Sequence, residues 1–281
     1  MKSMTAQNRV TSTFMYLACL VTALIIAVPL YISIFGGFKT MGQLRAEPMG
    51  LPHPFLGNQY TDLLAGRIGS FWRELGNSLI VGAGTVGVVL LVGTFAAYAL
   101  ARIRFRLNGV FYGYFQLGLL FPLAVAILPL YIQLRTFHLL DTRLGVILPQ
   151  AAFQLAMMIM LLRGFIKAIP DELEEAAALD GYGRFGFLFR IVVPLSTPIL
   201  ATAGVLTLVV SWNNFFTPLL VFNSLRKFTL PMGVMDFMGQ HASDWNMILA
   251  FLTLAMVPAV VIYIASQRYI VEGLTRGAIK G

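Results

Sequence analysis

Charge is what this sequence has least of. Only 11% of its 281 residues are Asp, Glu, Lys or Arg, while 58% are apolar or aromatic. A soluble globular domain carries about a quarter charged residues. This chain therefore lacks the polar groups to cover a water-facing surface, and its mean hydropathy of +0.80 agrees. A disordered tail and a collagen are excluded by the same composition, and a disulfide-rich secreted scaffold by the near absence of cysteine. Cys19 is the single cysteine and cannot close an internal bridge, so it says nothing of redox compartment. No G-x-x-x-x-G-K-[ST] loop occurs, so any nucleotide that powers the protein is bound by another chain. His53, His138 and His241 fall in separate segments without ligand-like spacing, and a metal site has no support.

What the chain does have is long charge-free apolar runs. A helix needs about 20 residues to cross the hydrocarbon layer, and a charged side chain at its centre costs about 2.5–3.5 kcal/mol. Six stretches meet that test: Phe14–Phe35, Asn77–Leu100, Val110–Leu134, Leu144–Leu162, Leu195–Phe222 and Trp245–Gln267. The first is too long for a signal-peptide core and lacks a small-residue cleavage site after it, so it reads as a retained anchor. The net charge of +8 comes from basic residues scattered between these runs, unlike a nucleic-acid face. Six crossings put both termini on one side. The segments there, 1–13, 101–109, 163–194 and 268–281, hold 12 Lys/Arg against 8 in 36–76, 135–143 and 223–244. The positive-inside bias, sharpest in Arg102-Ile103-Arg104-Phe105-Arg106, makes that side cytoplasmic.

Seven prolines lie inside these runs: Pro29, Pro122, Pro129, Pro149, Pro198, Pro218 and Pro258. Each removes a backbone hydrogen bond, so bent helices around a path are expected. Gly82-Ala83-Gly84-Thr85-Val86-Gly87 matches the G-x-G-x-x-G string of dinucleotide sites but sits within an apolar run, not after a strand. It reads better as small residues, Ala83 and Gly87 foremost, that let helices approach.

The segment 163–194 is the most informative. Pro170 followed by Asp171, Glu172, Glu174 and Glu175 marks a helix start, because carboxylates offset the positive end of the helix dipole. Ala176, Ala177 and Ala178 extend the helix and Gly181 ends it. A second amphipathic piece, Phe185 to Ile191, precedes Pro194 and the next run. Four carboxylates on one solvated helix start do not make an acid–base pair across a cleft. A short stub with a small-residue face, fixed between two spans, is shaped instead to enter a groove on another protein.

Glu175-Ala176-Ala177, Gly181, Ile191 and Pro194 together resemble the EAA loop of ABC importer permeases, with Val193 in place of the family's leucine. Pro129-Leu130-Tyr131-Ile132, Leu140-Asp141-Thr142, Leu148-Pro149, Leu162-Arg163-Gly164-Phe165, Ser211-Trp212-Asn213-Asn214-Phe215 and the terminal Gln267–Thr275 are similar to the carbohydrate type, in particular the maltose-type second permease subunit. Asn214 stands where that family often has glutamate, so a buried negative charge there is in question.

The resemblance implies an all-α integral membrane protein of six transmembrane helices with a type I ABC importer permease core. The expected organisation is a cytoplasmic N-terminus (1–13), a first helix (14–35), an extracytoplasmic loop (36–76), a five-helix core (77–267) containing the coupling loop 163–194, and a cytoplasmic tail (268–281). The implied partners are a second homologous permease, an ATP-binding subunit dimer and an extracytoplasmic solute-binding protein. No cofactor is expected on this chain itself; ATP and Mg would bind the partner ATPase. The implied role is a non-enzymatic subunit in the cell (inner) membrane that moves a sugar or sugar derivative inward by alternating access. The ATPase-coupling residues would be Glu174, Glu175, Ala176, Ala177, Asp180, Gly181, Ile191 and Pro194.

Polar groups within spans are costly in lipid and should face the bundle interior. Gln116, Gln150, Gln154, Asn213 and Asn214 are therefore candidates for the substrate path, with Trp212, Phe215 and Phe216 as stacking surfaces for sugar rings. The same residues could instead bond between helices without touching solute. Polyols, glycerol phosphodiesters or amino acids are the alternative substrates. A secondary carrier or a channel is the alternative class, although the spans hold no Asp, Glu, Lys or Arg for ion coupling.

Overall fold

The computed structural model describes residues 6–238 and 244–278, with side chains placed for 12–238 and 244–267. His241 and the chain ends at 1–5 and 279–281 lie outside the described residues, and of the tail only the helical course to 278 is described. Thirteen α-helical segments follow in order: α1 Ala6–Gly36, α2 Met41–Ala46, α3 Asn58–Leu64, α4 Phe71–Arg102, α5 Asn108–Gly118, α6 Leu123–Thr136, α7 Arg143–Lys167, α8 Asp171–Leu179, α9 Arg184–Phe187, α10 Val193–Leu195, α11 Thr197–Trp212, α12 Phe216–Val221 and α13 Trp245–Ala278. A π-helical turn, Leu188–Val192, joins α9 to α10, and 3₁₀ turns occupy Leu225–Lys227 and Leu230–Phe237. No strand occurs among the described residues. The chain forms two compact units, Met1–Phe71 with Gly233–Val257, and Trp72–Met232 with Pro258–Gly281.

In the first unit, α1 exposes its apolar side chains from Phe14 through Leu30, Ile25 among them. That surface suits hydrocarbon rather than water. The segment after it is built, not slack. Lys39 is buried and donates to the carbonyls of Glu47 and Pro48, 2.8 Å each. Thr40 and Gln43 form a reciprocal capping box at the start of α2.

Four helices, α1, α4, α7 and α13, are long and apolar enough to cross a membrane unbroken. Two further crossings require bent pairs, which brings the total to six. The third expected span, Val110–Leu134, is not one helix. It breaks between α5 and α6 with a 103° bend. Pro122 has no N–H to continue the ladder and stands in extended conformation as the N-cap of α6, while Phe121 before it lies outside both helices. The fifth span, Leu195–Phe222, is also divided. A 75° bend separates 184–195 from α11, and Asn213–Phe215 interrupt the run before α12. At the first break Pro198 cannot donate to the carbonyl of Pro194, and the hydroxyl of Thr197 does so instead at 2.8 Å. Pro29, Pro129, Pro149 and Pro258 are carried inside continuous helices.

The core of the second unit is centred on α4, α7 and α11. Val89, Ala97, Ala151, Met158, Leu162, Ile199 and Ala203 are buried in one cluster. A second cluster gathers Val81, Leu134, Val146, Ile147, Val221 and Met232. The close approaches expected of Ala83 and Gly87 fall instead on Gly82 and Gly84, either side of Ala83. A Cβ at Gly82 would meet Leu208 at 2.8 Å and one at Gly84 would meet Ile147 at 2.6 Å, whereas Gly87 has open space. Ala83 and Gly87 share a helical face four residues apart, and that face is exposed.

Candidate functional site

The expected coupling helix is α8, nine residues long, with Asp171, Glu172 and Glu174 in its first turn. Its far end closes in a Schellman motif: the N–H of Tyr182 donates to the carbonyl of Ala177 (2.8 Å) and that of Gly181 to Ala178 (3.1 Å). Gly181 takes φ +82°, which L side chains rarely adopt, and a Cβ there would meet nothing within 4 Å. The backbone, not crowding, therefore requires glycine at this position.

Two devices fix α8 to the spans. The first is Arg102, the last residue of α4, whose side chain is only 4% exposed. Its guanidinium donates to the carbonyl of Ile166 at 3.0 Å and to that of Ile169, so it holds the C-terminal end of α7. It also pairs with Asp171 and lies 3.5 Å from Glu174, both on the first turn of α8. One planar fork thus joins three helices. The second device is apolar. Ala177 is buried with Leu162, Ile166, Phe187, Leu188 and Val192. The Tyr98 hydroxyl adds a bond of 3.0 Å to the carbonyl of Arg184 at the start of α9.

The expected coupling residues separate accordingly. Glu175, Ala176, Asp180 and Gly181 are exposed, as is Pro194; Glu174 and Ile191 are half-buried. Ala177 is not on the outer face. It is 2% exposed, because one face of so short a helix must pack on the spans to hold it. Two large apolar side chains also stand bare here, Leu179 at the end of α8 at 90% and Phe185 on α9 at 71% exposure; the sequence placed Phe185 in an amphipathic piece but gave neither residue a role. Arg102 was missed as well, since nothing in the linear pattern links it to Asp171, 69 residues away.

The substrate-path candidates also divide. Gln150 is buried where α4, α7 and α11 meet. Its Oε1 accepts from Ser211 at 2.6 Å and from Thr85 at 3.3 Å, the interhelical alternative. Its Nε2, both polar atoms of Gln154 and the hydroxyl of Thr207 are buried without a hydrogen-bond partner among the described residues. Trp212 is buried at the end of α11. Asn213 donates to the carbonyl of Val209 at 2.9 Å, and the side-chain oxygen of Asn214 accepts from Thr217 N–H at 3.0 Å. These two asparagines therefore end α11 and start α12. Phe215 is half-buried and meets the exposed Phe216 edge-on at 6.0 Å. Gln116, expected inside, is exposed on α5. The face of α5 that meets α7 carries Phe115 and Gly118, so the helical period turns Gln116 away.

At the other end of the second unit, Asp141 ties two loops. Its carboxylate accepts from the backbone N–H of Asn223 and Ser224 (3.1 Å each), from the Ser224 hydroxyl and from Lys227 (2.7 Å each). The Lys227 ammonium, with these other donors, holds the Asp141 carboxyl well below the usual range. Among the described residues no group of His, Cys, Asp and Glu could hold a metal ion.

A short helix gripped between spans, in a chain of up to six apolar crossings, is the arrangement on which the family question turns. Residues 89–276 match the family described as binding-protein-dependent transport system inner membrane component. The chain belongs to that family. The permease is 37% identical over 270 residues to a putative ABC transporter permease protein of Caldicellulosiruptor sp., covering 95% of this chain and 96% of that one. It is 31% identical to AmyC of Thermoanaerobacterium thermosulfurigenes, a probable permease for starch degradation products, over 93% and 94% of the two chains. A crystal structure of a bacterial ABC transporter involved in alginate import shares the permease's fold, with TM-score 0.82 and 21% identity over 96% of this chain and 99% of that one. The permease is thus a multi-pass membrane protein with an all-helical core of the type I importer kind.

Proposed function

We propose that the permease is the membrane-spanning subunit of an ATP-driven importer for a sugar or sugar derivative. The observation that carries the coupling half is the rigid mounting of α8: Arg102 joins it to α4 and α7, and Ala177 packs it against the same spans. The substrate half is supported by the starch products that AmyC is named for and the alginate of the structural neighbour. The end bearing α8 is cytoplasmic, as are both termini. An ATPase dimer, which holds ATP and Mg, receives α8 in a groove; a second permease completes the path and an extracytoplasmic binding protein delivers solute.

When ATP draws the ATPases together, α8 moves with them. The three-helix junction at Arg102 passes the displacement to α4 and α7, and the core around Ala177 passes it through Leu188 and Val192 to α11. ATP shifts the bundle only by stabilising one of its two arrangements more than the other. Gln154, a buried amide without a partner among the described residues, is the group best suited to meet a solute hydroxyl. A photo-crosslinking residue at Leu179 tests the coupling half: the expected product contains an ATPase chain, and a product without one rejects it. Uptake by reconstituted vesicles tests the rest. Accumulation of solute with this chain as the sole protein rejects an ATP-driven importer, and accumulation of an amino acid but no saccharide rejects the substrate class.

A further inference from the structure

Beside α8, the second unit opens into a cleft of about 1010 Å³ whose walls are mostly charged. Arg102, Arg104, Arg106, Arg163, Lys167 and Arg184 line it, against Asp171, Glu174 and Glu175. Two of the three acids already face Arg102. Arg163 lies flat on the ring of Tyr112, 3.8 Å from its centroid, and donates through Nε to the carbonyl of Leu100. Arg104, Arg106, Lys167 and Arg184 hold no ion pair among the described residues. Four unengaged cations converge on one concavity with Glu175 as the single unengaged acid.

The rim shows which anion fits. The connection from α4 to α5 alternates Arg104-Phe105-Arg106-Leu107, and Phe105 and Leu107 are 38% and 53% exposed. It leads directly into exposed Val110, Phe111 and Tyr114 on α5. Asn108 lines the cleft, and the next residue, Gly109, begins an apolar groove of about 530 Å³ along α5. Cations at the end of a spanning helix, followed by an aromatic and aliphatic surface, match a phosphate headgroup above an acyl chain. Guanidinium groups suit phosphate because they offer it paired donors.

We propose that this cleft binds the phosphate headgroup of an anionic lipid, with the acyl chain lying along the Gly109–Gly113 face of α5. On the orientation proposed above this lipid belongs to the cytoplasmic leaflet; the binding itself does not rest on that orientation. Lipid retention by the purified full chain in detergent tests it, with phosphatidylglycerol and phosphatidylcholine as probes at 0.15 M salt, counted by native mass spectrometry. The expected result is selective retention of phosphatidylglycerol. Arg104→Gln with Arg106→Gln should weaken it about 30-fold, at about 1 kcal/mol for each cation near the surface. Arg135→Gln with Arg226→Gln, which removes the same charge away from the cleft, should leave it intact.

Equal retention of the two lipids, or equal loss in both double variants, overturns the proposal. So does displacement of the lipid by millimolar inorganic phosphate, which would make the cleft a free-anion site. Loss of a co-purifying ATPase from Arg104→Gln/Arg106→Gln, without any lipid preference in the wild type, would mark a protein contact and overturn it too. Lipid retention together with failed ATPase crosslinking at Leu179 upholds the lipid site and rejects only the coupling reading.

Discussion

Replacing Arg102 with alanine isolates what holds the stub. Of the two carbonyls it serves, that of Ile166 keeps a second donor, the N–H of Ile169 at 3.3 Å, so only the Ile169 carbonyl loses its described donor. An orphaned buried acceptor costs about 1–3 kcal/mol. Asp171 is 84% exposed, so its pairing adds no more than about 1 kcal/mol. The junction therefore loses about 3 kcal/mol, which is a factor of about 150 in the docked fraction of α8. Hydrogen exchange reads this directly. The amides of Asp180, Gly181 and Tyr182, which close the helix end, should exchange roughly 100-fold faster in Arg102→Ala, while amides near Val89 in α4 keep their protection. Arg102→Lys should fall between, since a single ammonium cannot serve carbonyls and carboxylates together. Unchanged exchange in α8, or equal acceleration throughout the core, would refute the junction.

Gly181→Asp should leave the protein inserted but cut transport about 5- to 30-fold, because the left-handed backbone there costs an L residue about 1–2 kcal/mol; Gly181→Asn should be milder, and normal uptake by the Asp variant at normal abundance counts against docking. Gln150→Leu strips the buried Ser211 hydroxyl of its acceptor, while Thr85 keeps the Val81 carbonyl at 2.9 Å, and should lower membrane abundance through a loss of about 1–3 kcal/mol. Gln154→Ala should instead alter uptake selectivity at unchanged abundance, and the reverse pair of results would exchange their roles. The Asp141 tie depends on pH in one direction. Its folded-state pKa is depressed below the ordinary 3.8, so its contribution is complete above about pH 4 and is lost as pH falls further. The protection of the Ser224 amide, its exchange rate relative to the intrinsic rate at each pH, should fall below that point in the wild type and be low at neutral pH in Asp141→Asn; a tie unaffected by either change would dismiss the carboxylate as its source.

The parts of the molecule legible in the sequence are those encoded by neighbouring residues. The acids after Pro170 and the stop at Gly181 mark both ends of α8, because dipole, propensity and the left-handed cap all act within one or two turns. Arg102 was visible only as a positive charge at a helix end; its grip on Ile169 and Asp171 arises from tertiary packing. Proline gave half an answer. Pro122 and Pro149 look alike in a hydropathy trace, yet one divides two helices at 103° and the other sits within a continuous one. What differs is whether neighbouring helices hold the backbone straight, which linear spacing does not encode. The same holds for Gln150, whose partners lie 61 and 65 residues away.

Leu179 and Phe185 carry one more consequence. Two large hydrocarbon side chains stand bare at the tip of the loop, where water and not lipid surrounds them on the proposed orientation. On the proposed reading, a copy not yet docked on its ATPase leaves this hydrocarbon in water, and docking would take it out of water.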